Sequence, residues 1–209
     1  MRIGVDFDNT IVSYDGVFHR IAVENGLIPP HIESSKDSVR NYLRKVGRED
    51  EWTALQGHVY GARMDAAQPY PGVREFFRHA VAQGISIAIV SHKTRHPFLG
   101  EKHDLHLSAR RWLEAQGFFD PAQIGLDESH VFFEMTKEDK MARIGALGRT
   151  VFIDDLPEFL GEPAFPGNVE RLLFDPKGEN AHVTQFTRMR SWAEIAARHF
   201  PASAEAVGR

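Results

Sequence analysis

The sequence contains no cysteine. Disulfide staples and thiol chemistry are therefore excluded, and the absence fits a reducing compartment. No apolar run approaches the roughly 20 residues that a membrane-spanning helix requires. Positive charge is not in excess: 25 Lys and Arg stand against 29 Asp and Glu, so no global basic field argues for a nucleic-acid duplex as partner. Internal repeats and low-complexity segments are also missing. The chain opens on a strand-like segment with an acidic pair, which does not match a signal peptide. A cytoplasmic protein without membrane partners is the expectation.

The 209 residues suffice for one sizeable core, or for a core with a small insertion. Two short acidic motifs close apolar runs: Arg2-Ile3-Gly4-Val5-Asp6-Phe7-Asp8-Asn9-Thr10 and Thr150-Val151-Phe152-Ile153-Asp154-Asp155. Such runs read as buried parallel strands, and in an open α/β sheet ligands bind beyond the carboxyl ends of the strands. Both motifs would deliver carboxylates to that edge, where they repel one another. A hard divalent cation relieves the repulsion, and oxygen-only ligands suit Mg²⁺.

Strand-like and helical patterns alternate through most of the chain, which predicts a Rossmann-like α/β three-layer sandwich with a parallel sheet. Strands are expected at Arg2–Asp6, Ile85–Val90, Val131–Glu134, Thr150–Asp154 and Arg171–Phe174. Helices are expected at Val73–Gln83, from Asp104 to Gln116, after Thr136, and from Ser191-Trp192-Ala193-Glu194, a capping-box pattern, to about Phe200. The tail Pro201–Arg209 is small and polar enough to fray.

The stretch from about Ile11 to Pro69 breaks the alternation and reads as helices only. Apolar faces come after Asp15 (Val17, Phe18, Ile21, Ala22) and Ser35 (Val39, Tyr42, Leu43, Val46), and continue at Trp52, Leu55 and Val59. A helical block leaving the sheet where the acidic site would lie looks like a lid, the alternative being a plain extension of the core. The division expected is a core of 1–11 and 70–200, a helical cap of 12–69 and a tail of 201–209.

Taken together, these residues resemble the haloacid dehalogenase-like (HAD) superfamily. Asp6-Phe7-Asp8-Asn9-Thr10 looks like its motif I, Asp-x-Asp-x-Thr. Ile85–Val90 with Ser91 at its end looks like motif II, Lys137 at a helix start like motif III, and Phe152-Ile153-Asp154-Asp155 like motif IV in its double-Asp form. Tyr70-Pro71-Gly72-Val73 resembles the Pro-Gly-Val that often opens the helix before motif II. All four motifs stand in the family's order, and the insertion resembles a small helical cap of the C1 type.

The resemblance implies a Mg²⁺-dependent phosphatase acting on a small phosphomonoester. Asp6 would be the nucleophile and Asp8 the general acid/base. Ser91 would donate to a phosphoryl oxygen and Lys137 would neutralise charge. It places Mg²⁺ between the Asp6 carboxylate, the Asp8 backbone carbonyl and Asp154, with Asp155 nearby. Thr10 would orient the loop, and His92 and Lys93 would lie beside the phosphate. Lys140 is the rival to Lys137, which is favoured for its place in the first helical turn.

Other readings stand beside this one. Asp-x-Asp after a strand also occurs in glycosyltransferases, and an acidic pair with a distant Lys in response-regulator receivers; both differ in motif order. Within the superfamily, a 5′-nucleotidase-like enzyme and a phosphomutase are alternatives, and a catalytically weak binding domain is a third. Lys93 and Arg95 either bind an anion or form a solvated loop. His103 and His106 have ligand-like i, i+3 spacing but no carboxylate or cysteine partner in pattern. In the insertion, Arg40, Arg44 and Lys45 with Trp52, Tyr60 and Arg63 would suit a nucleotide or phosphosugar pocket, against helix packing and solvated faces.

Overall fold

The apolar run that leads into Asp6 forms an interior strand, and the chain builds outward from it on both sides. The computed structural model describes residues 1–200; the tail 201–209 lies outside the described residues. In chain order the elements are β1 (Arg2–Val5), β2 (Val12–Ser13), α1 (Val17–Glu24), α2 (Lys36–Lys45), α3 (Glu49–Tyr60), β3 (Gln68–Pro69), α4 (Val73–Ala82) and β4 (Ser86–His92). They continue with α5 (Leu105–Ala115), β5 (Val131–Glu134), α6 (Lys137–Ala146), β6 (Val151–Asp154), α7 (Pro157–Leu160), β7 (Glu170–Phe174), β8 (Thr187–Met189) and α8 (Trp192–His199).

Six strands form one sheet in the order β5-β4-β1-β6-β7-β8, every neighbouring pair parallel. The chain winds outward from β1 to one side and then from β6 to the other. The strand order therefore reverses between β1 and β6, which opens a crevice at their carboxyl ends. The expected α/β sandwich is what forms.

Side-chain alternation along the strands supplies two cores. Ile3, Val5, Ile87, Ile89 and Ile153 face one side and pack under α4, α5 and α8. Ala88, Val90, Phe152 and Leu173 face the other, under α6 and α7. Phe18, Ile21, Val39, Leu43, Trp52 and Val59 of the inserted helices belong to the first of these cores. Their apolar faces are thus continuous with the sheet's own packing. No helix among the described residues is long and apolar enough to cross a membrane.

Four helix starts obey the expected capping chemistry. Ser35, Asp104, Thr136 and Ser191 each accept a hydrogen bond from a backbone N–H three residues on. Four short elements carry no signal in the sequence. Strand β8 has two exposed residues of three, and α7 is a single turn behind Pro157. At the base of the insertion, β2 and β3 pair antiparallel, Val12 with Pro69 and Ser13 with Gln68. Two-residue strands are too short to show alternation; long-range pairing forms them. Strand β4 also runs past Val90, because Ser91 and His92 pair with Phe133 and Glu134.

Gly4 is required by close packing in the middle of β1. A Cβ there would come within 2.5 Å of the Phe152 ring. Phe152 is fully buried between Phe159 and Phe165 and has no free direction to move. Gly4→Ala is expected to destabilise by about 1–3 kcal/mol, read as a lowered urea midpoint with unchanged slope. An unchanged midpoint would show that Phe152 repacks freely.

Candidate active site

The carboxylates meet where the strand order reverses. The Asp6 N–H still donates to Ile153 O at 2.9 Å, so Asp6 sits one step past β1 in strand geometry. Asp154 is the last residue of β6. Asp6, Asp154 and Asp155 each offer an oxygen, and these atoms all lie within 4.8 Å of one another.

After Asp6 the backbone turns sharply. Phe7 O accepts from the N–H groups of both Ile11 and Val12, at 3.0 and 3.1 Å. Asn9 takes the left-handed conformation, φ 57°, which asparagine tolerates better than other non-glycine residues. Asp8 is held from two sides: Tyr14 Oη donates to its Oδ1 at 2.6 Å and Lys93 Nζ to its Oδ2 at 2.7 Å. Thr10, fully buried, donates from Oγ1 to Asp155 Oδ1 at 3.4 Å, and its carbonyl accepts from Trp192 Nε1 at 3.1 Å. The loop is thereby tied to the end of β6 and to α8.

The lysine at the carboxylates is Lys140. Its Nζ stands 2.6 Å from both Asp6 Oδ1 and Asp154 Oδ2, and the residue is 2% exposed. Lys137, favoured from the sequence, is half-buried and lines the cavity without touching them. The reason is side-chain direction. Helical side chains lean toward the helix N-terminus, so the residue one turn inside α6 covers the sheet edge ahead of the helix.

Electrostatics follow from this packing. Burial pushes the Asp6 carboxyl up to about 7, with Lys140 pulling it down and Asp154 adding to the rise. Burial raises Asp155 well above its ordinary value too, helped by Asp154 and Asp6. For Lys140, burial favours the neutral amine, but Asp154 and Asp6 outweigh it and hold the ammonium above its usual range. One buried lysine thus faces three crowded carboxylates. An all-oxygen donor set with surplus negative charge fits a hard divalent cation.

Ser91, 1% exposed near the end of β4, lines a 90 Å³ cavity with Asp6, Asp8, Asn9, His92, Lys137 and Lys140. His92 is exposed there and its Nε2 lies 3.2 Å from Met135 O. Lys93 is 4% exposed, far from the solvated loop that its sequence context allowed, and stands over the Phe7 and Tyr60 rings. Arg95 instead pairs with Asp104 near the surface.

Of the other sequence candidates, the structure brings Tyr60 beside Lys93 and Arg40 into the lining of an adjoining cavity, and disperses the rest. His106 Nε2 bonds the Lys93 carbonyl at 2.7 Å, while His103 lies beside Glu101. Asp6, Asp154 and Asp155 are the only metal-competent group among the described residues. Arg44 pairs with Glu49 and Arg63 with Glu24, Trp52 is in the core, and Arg40 pairs with Asp37. Tyr14 and Asn9 enter the site with no signal in the sequence beyond their closeness to Asp8.

No protein-family model matches the sequence, and no curated protein matches it. Solved structures do match in fold. A HAD-family hydrolase from Deinococcus radiodurans R1, with bound phosphate and sodium, is 17% identical with a TM-score of 0.61, covering 94% of this chain and 93% of that one. A HAD phosphatase from Thermococcus onnurineus is 15% identical, TM-score 0.51, covering 94% and 96%. A dehalogenase is 12% identical, TM-score 0.56, covering 94% and 96%. At these identities it is the fold that is shared, and this chain has the HAD-like α/β fold across most of its length.

Proposed function

We propose that this protein is a Mg²⁺-dependent phosphatase that hydrolyses a small phosphomonoester. The observation that carries the reading is the separation of two kinds of carboxylate. Asp6 belongs to the cation-competent cluster with Asp154 and Asp155, whereas Asp8 is held apart from it by Tyr14 and Lys93. A nucleophile and a proton-transfer group need such different surroundings. Members of the resembled superfamily that cleave carbon–halogen bonds are less similar to this chain at the Asp8 position, and the anchored acid there favours phosphoryl transfer.

In this reading an Asp6 carboxylate oxygen attacks phosphorus, and the leaving alcohol takes a proton from Asp8 as the P–O ester bond breaks. Water then attacks the aspartyl-phosphate, gives its proton to Asp8, and frees phosphate and Asp6. Ser91 donates to a phosphoryl oxygen. Lys140 holds the Asp6 carboxylate in place and balances charge shared with the phosphate. Asp6, Asp154 and Asp155, with the Asp8 carbonyl, would hold Mg²⁺, which when bound offsets phosphate charge. The segment 12–69 acts as a cap that keeps water from the cavity while the core of 1–11 and 70–200 carries the chemistry.

The test is phosphate release from nucleotides, phosphosugars, phosphoamino acids and a chromogenic aryl phosphate. Release is expected with Mg²⁺, and EDTA should lower it by roughly 10²-fold or more, since charge-stabilising groups in phosphoryl transfer carry such factors. An isomer in place of free phosphate would indicate a mutase. Release that is indifferent to EDTA would overturn the metal dependence.

A further inference from the structure

The small cavity at the carboxylates does not end there. Asn9, Asp155 and Leu156 also line a second, larger cavity of 390 Å³, which opens between the inserted helices and the ends of β6 and β7. A leaving group attached to a phosphate at Asp6 has this as its adjoining space. Its walls include Tyr14, Tyr70 and Phe174, and three cations, Lys36, Arg40 and Lys177.

Two of those cations are already spoken for. Arg40 lies 3.1 Å from Asp37, and Lys177 pairs with Asp15. Lys36 differs. It opens α2 and is half-buried, yet among the described residues it has no carboxylate within ion-pair distance. Its Nζ donates only to Tyr60 Oη, at 2.8 Å, and stands over the Phe18 and Tyr60 rings at 5.2 and 5.5 Å. An ammonium drawn out of water without a counter-charge is costly, and the aromatic faces offset only part of that cost. Burial works against the charge, but Tyr60, Asp8 and Asp155 keep Lys36 above its ordinary value. The group therefore remains a cation with unused donors, facing the space beside the phosphate.

We propose that Lys36 binds a second anionic group on the leaving group, so that the substrates are small phosphomonoesters bearing one further carboxylate or phosphate. This rests on the phosphatase reading of the Asp6 site. The other walls set the limit to one such group. Asp15, Asp37, Glu158, Asp175 and Glu179 line the same cavity, and a longer polyanion would meet them.

The experiment compares matched pairs: 3-phosphoglycerate against glycerol 3-phosphate, and a hexose bisphosphate against the corresponding hexose monophosphate. A chromogenic aryl phosphate, which has no second anion, reports turnover by itself. In the unmodified protein kcat/KM should favour the anion-bearing member of at least one pair by about tenfold or more, the size expected of a charge-assisted hydrogen bond. Lys36→Met should erase that ratio mainly through KM, and Lys36→Arg should retain much of it. The carboxylate pair and the phosphate pair distinguish the two anions.

Where neither member of a pair is turned over, their inhibition of aryl phosphate hydrolysis gives the same ratio. Because each ratio is internal to one variant, partial loss of folded protein does not alter it. Equal preference within both pairs in the unmodified protein, or a ratio that survives Lys36→Met, would overturn the assignment and leave the phosphatase reading intact. Absence of aryl phosphate turnover, with no release from any ester, would instead remove the phosphatase reading and this inference together.

Discussion

Asp6→Asn should abolish phosphate release, by about 10³-fold or more, while the protein stays folded. Loss on that scale follows from removing a nucleophile whose attack no neighbouring group replaces. Asp8 also lines the small cavity, but it is fixed in place by Tyr14 and Lys93 at 2.6 and 2.7 Å. Asp154 and Asp155 lie at the end of the neighbouring strand and belong to the cation-competent group. The fold should survive because the amide is nearly isosteric. Lys140 keeps its partner Asp154 at 2.6 Å when Asp6 loses its charge, so no buried ammonium is left unpaired. The backbone bond from Asp6 N–H to Ile153 O is untouched. Stopped-flow or end-point phosphate release checks the first part, and a thermal unfolding midpoint within a few degrees of the unmodified protein checks the second. Turnover retained in Asp6→Asn would refute Asp6 as nucleophile.

Lys140→Met is expected to act on stability as well as turnover. The ammonium bridges Asp6 and Asp154 at 2.6 Å each and is almost wholly buried. Methionine fills similar volume but leaves three crowded carboxylates with no buried counter-charge. Breaking a buried ion pair by removing one partner costs about 3–5 kcal/mol. For a chain of this size that is on the order of 10 °C in the unfolding midpoint. Millimolar Mg²⁺ should restore part of the loss, since a cation held by the carboxylates of the folded state shifts unfolding by mass action. Lys137→Met is the control: Lys137 is half-buried and makes no ion pair among the described residues, so its midpoint should move little. A Lys140→Met protein as stable as the unmodified chain, with or without Mg²⁺, would show that the carboxylates are protonated or solvated and need no buried cation.

The contrast between the two lysines shows where sequence reading stops. Both stand near the start of α6, and spacing alone leaves either as candidate. Their difference lies in the direction of the side chain relative to the edge of β1 and β6, which depends on how α6 packs on Phe152 and Val90 through Met141 and Ile144. Tyr14 is a similar case. Nothing in its local pattern marks it, and it reaches Asp8 only because the paired strands β2 and β3 fold the start of the insertion back over the loop. Lys93 is ambiguous in sequence for the same reason, and its burial follows from Phe7 and Tyr60 arriving from distant parts of the chain.

By itself the sequence determined the elements whose signal is local. Short apolar runs set the central strands, capping residues set the starts of α2, α5, α6 and α8, and the position of Asp6 and Asp154 at strand ends required that carboxylates share one edge. Parallel pairing with right-handed crossovers then leaves few ways to arrange the sheet. The tertiary structure alone decided which lysine faces the carboxylates, what anchors Asp8, that the inserted helices share the sheet's core, and that Lys36 lacks an acidic partner among the described residues. Each of these depends on groups far apart in the chain meeting at distances of a few ångströms, and a side chain's charge environment is set by those encounters rather than by its neighbours in sequence.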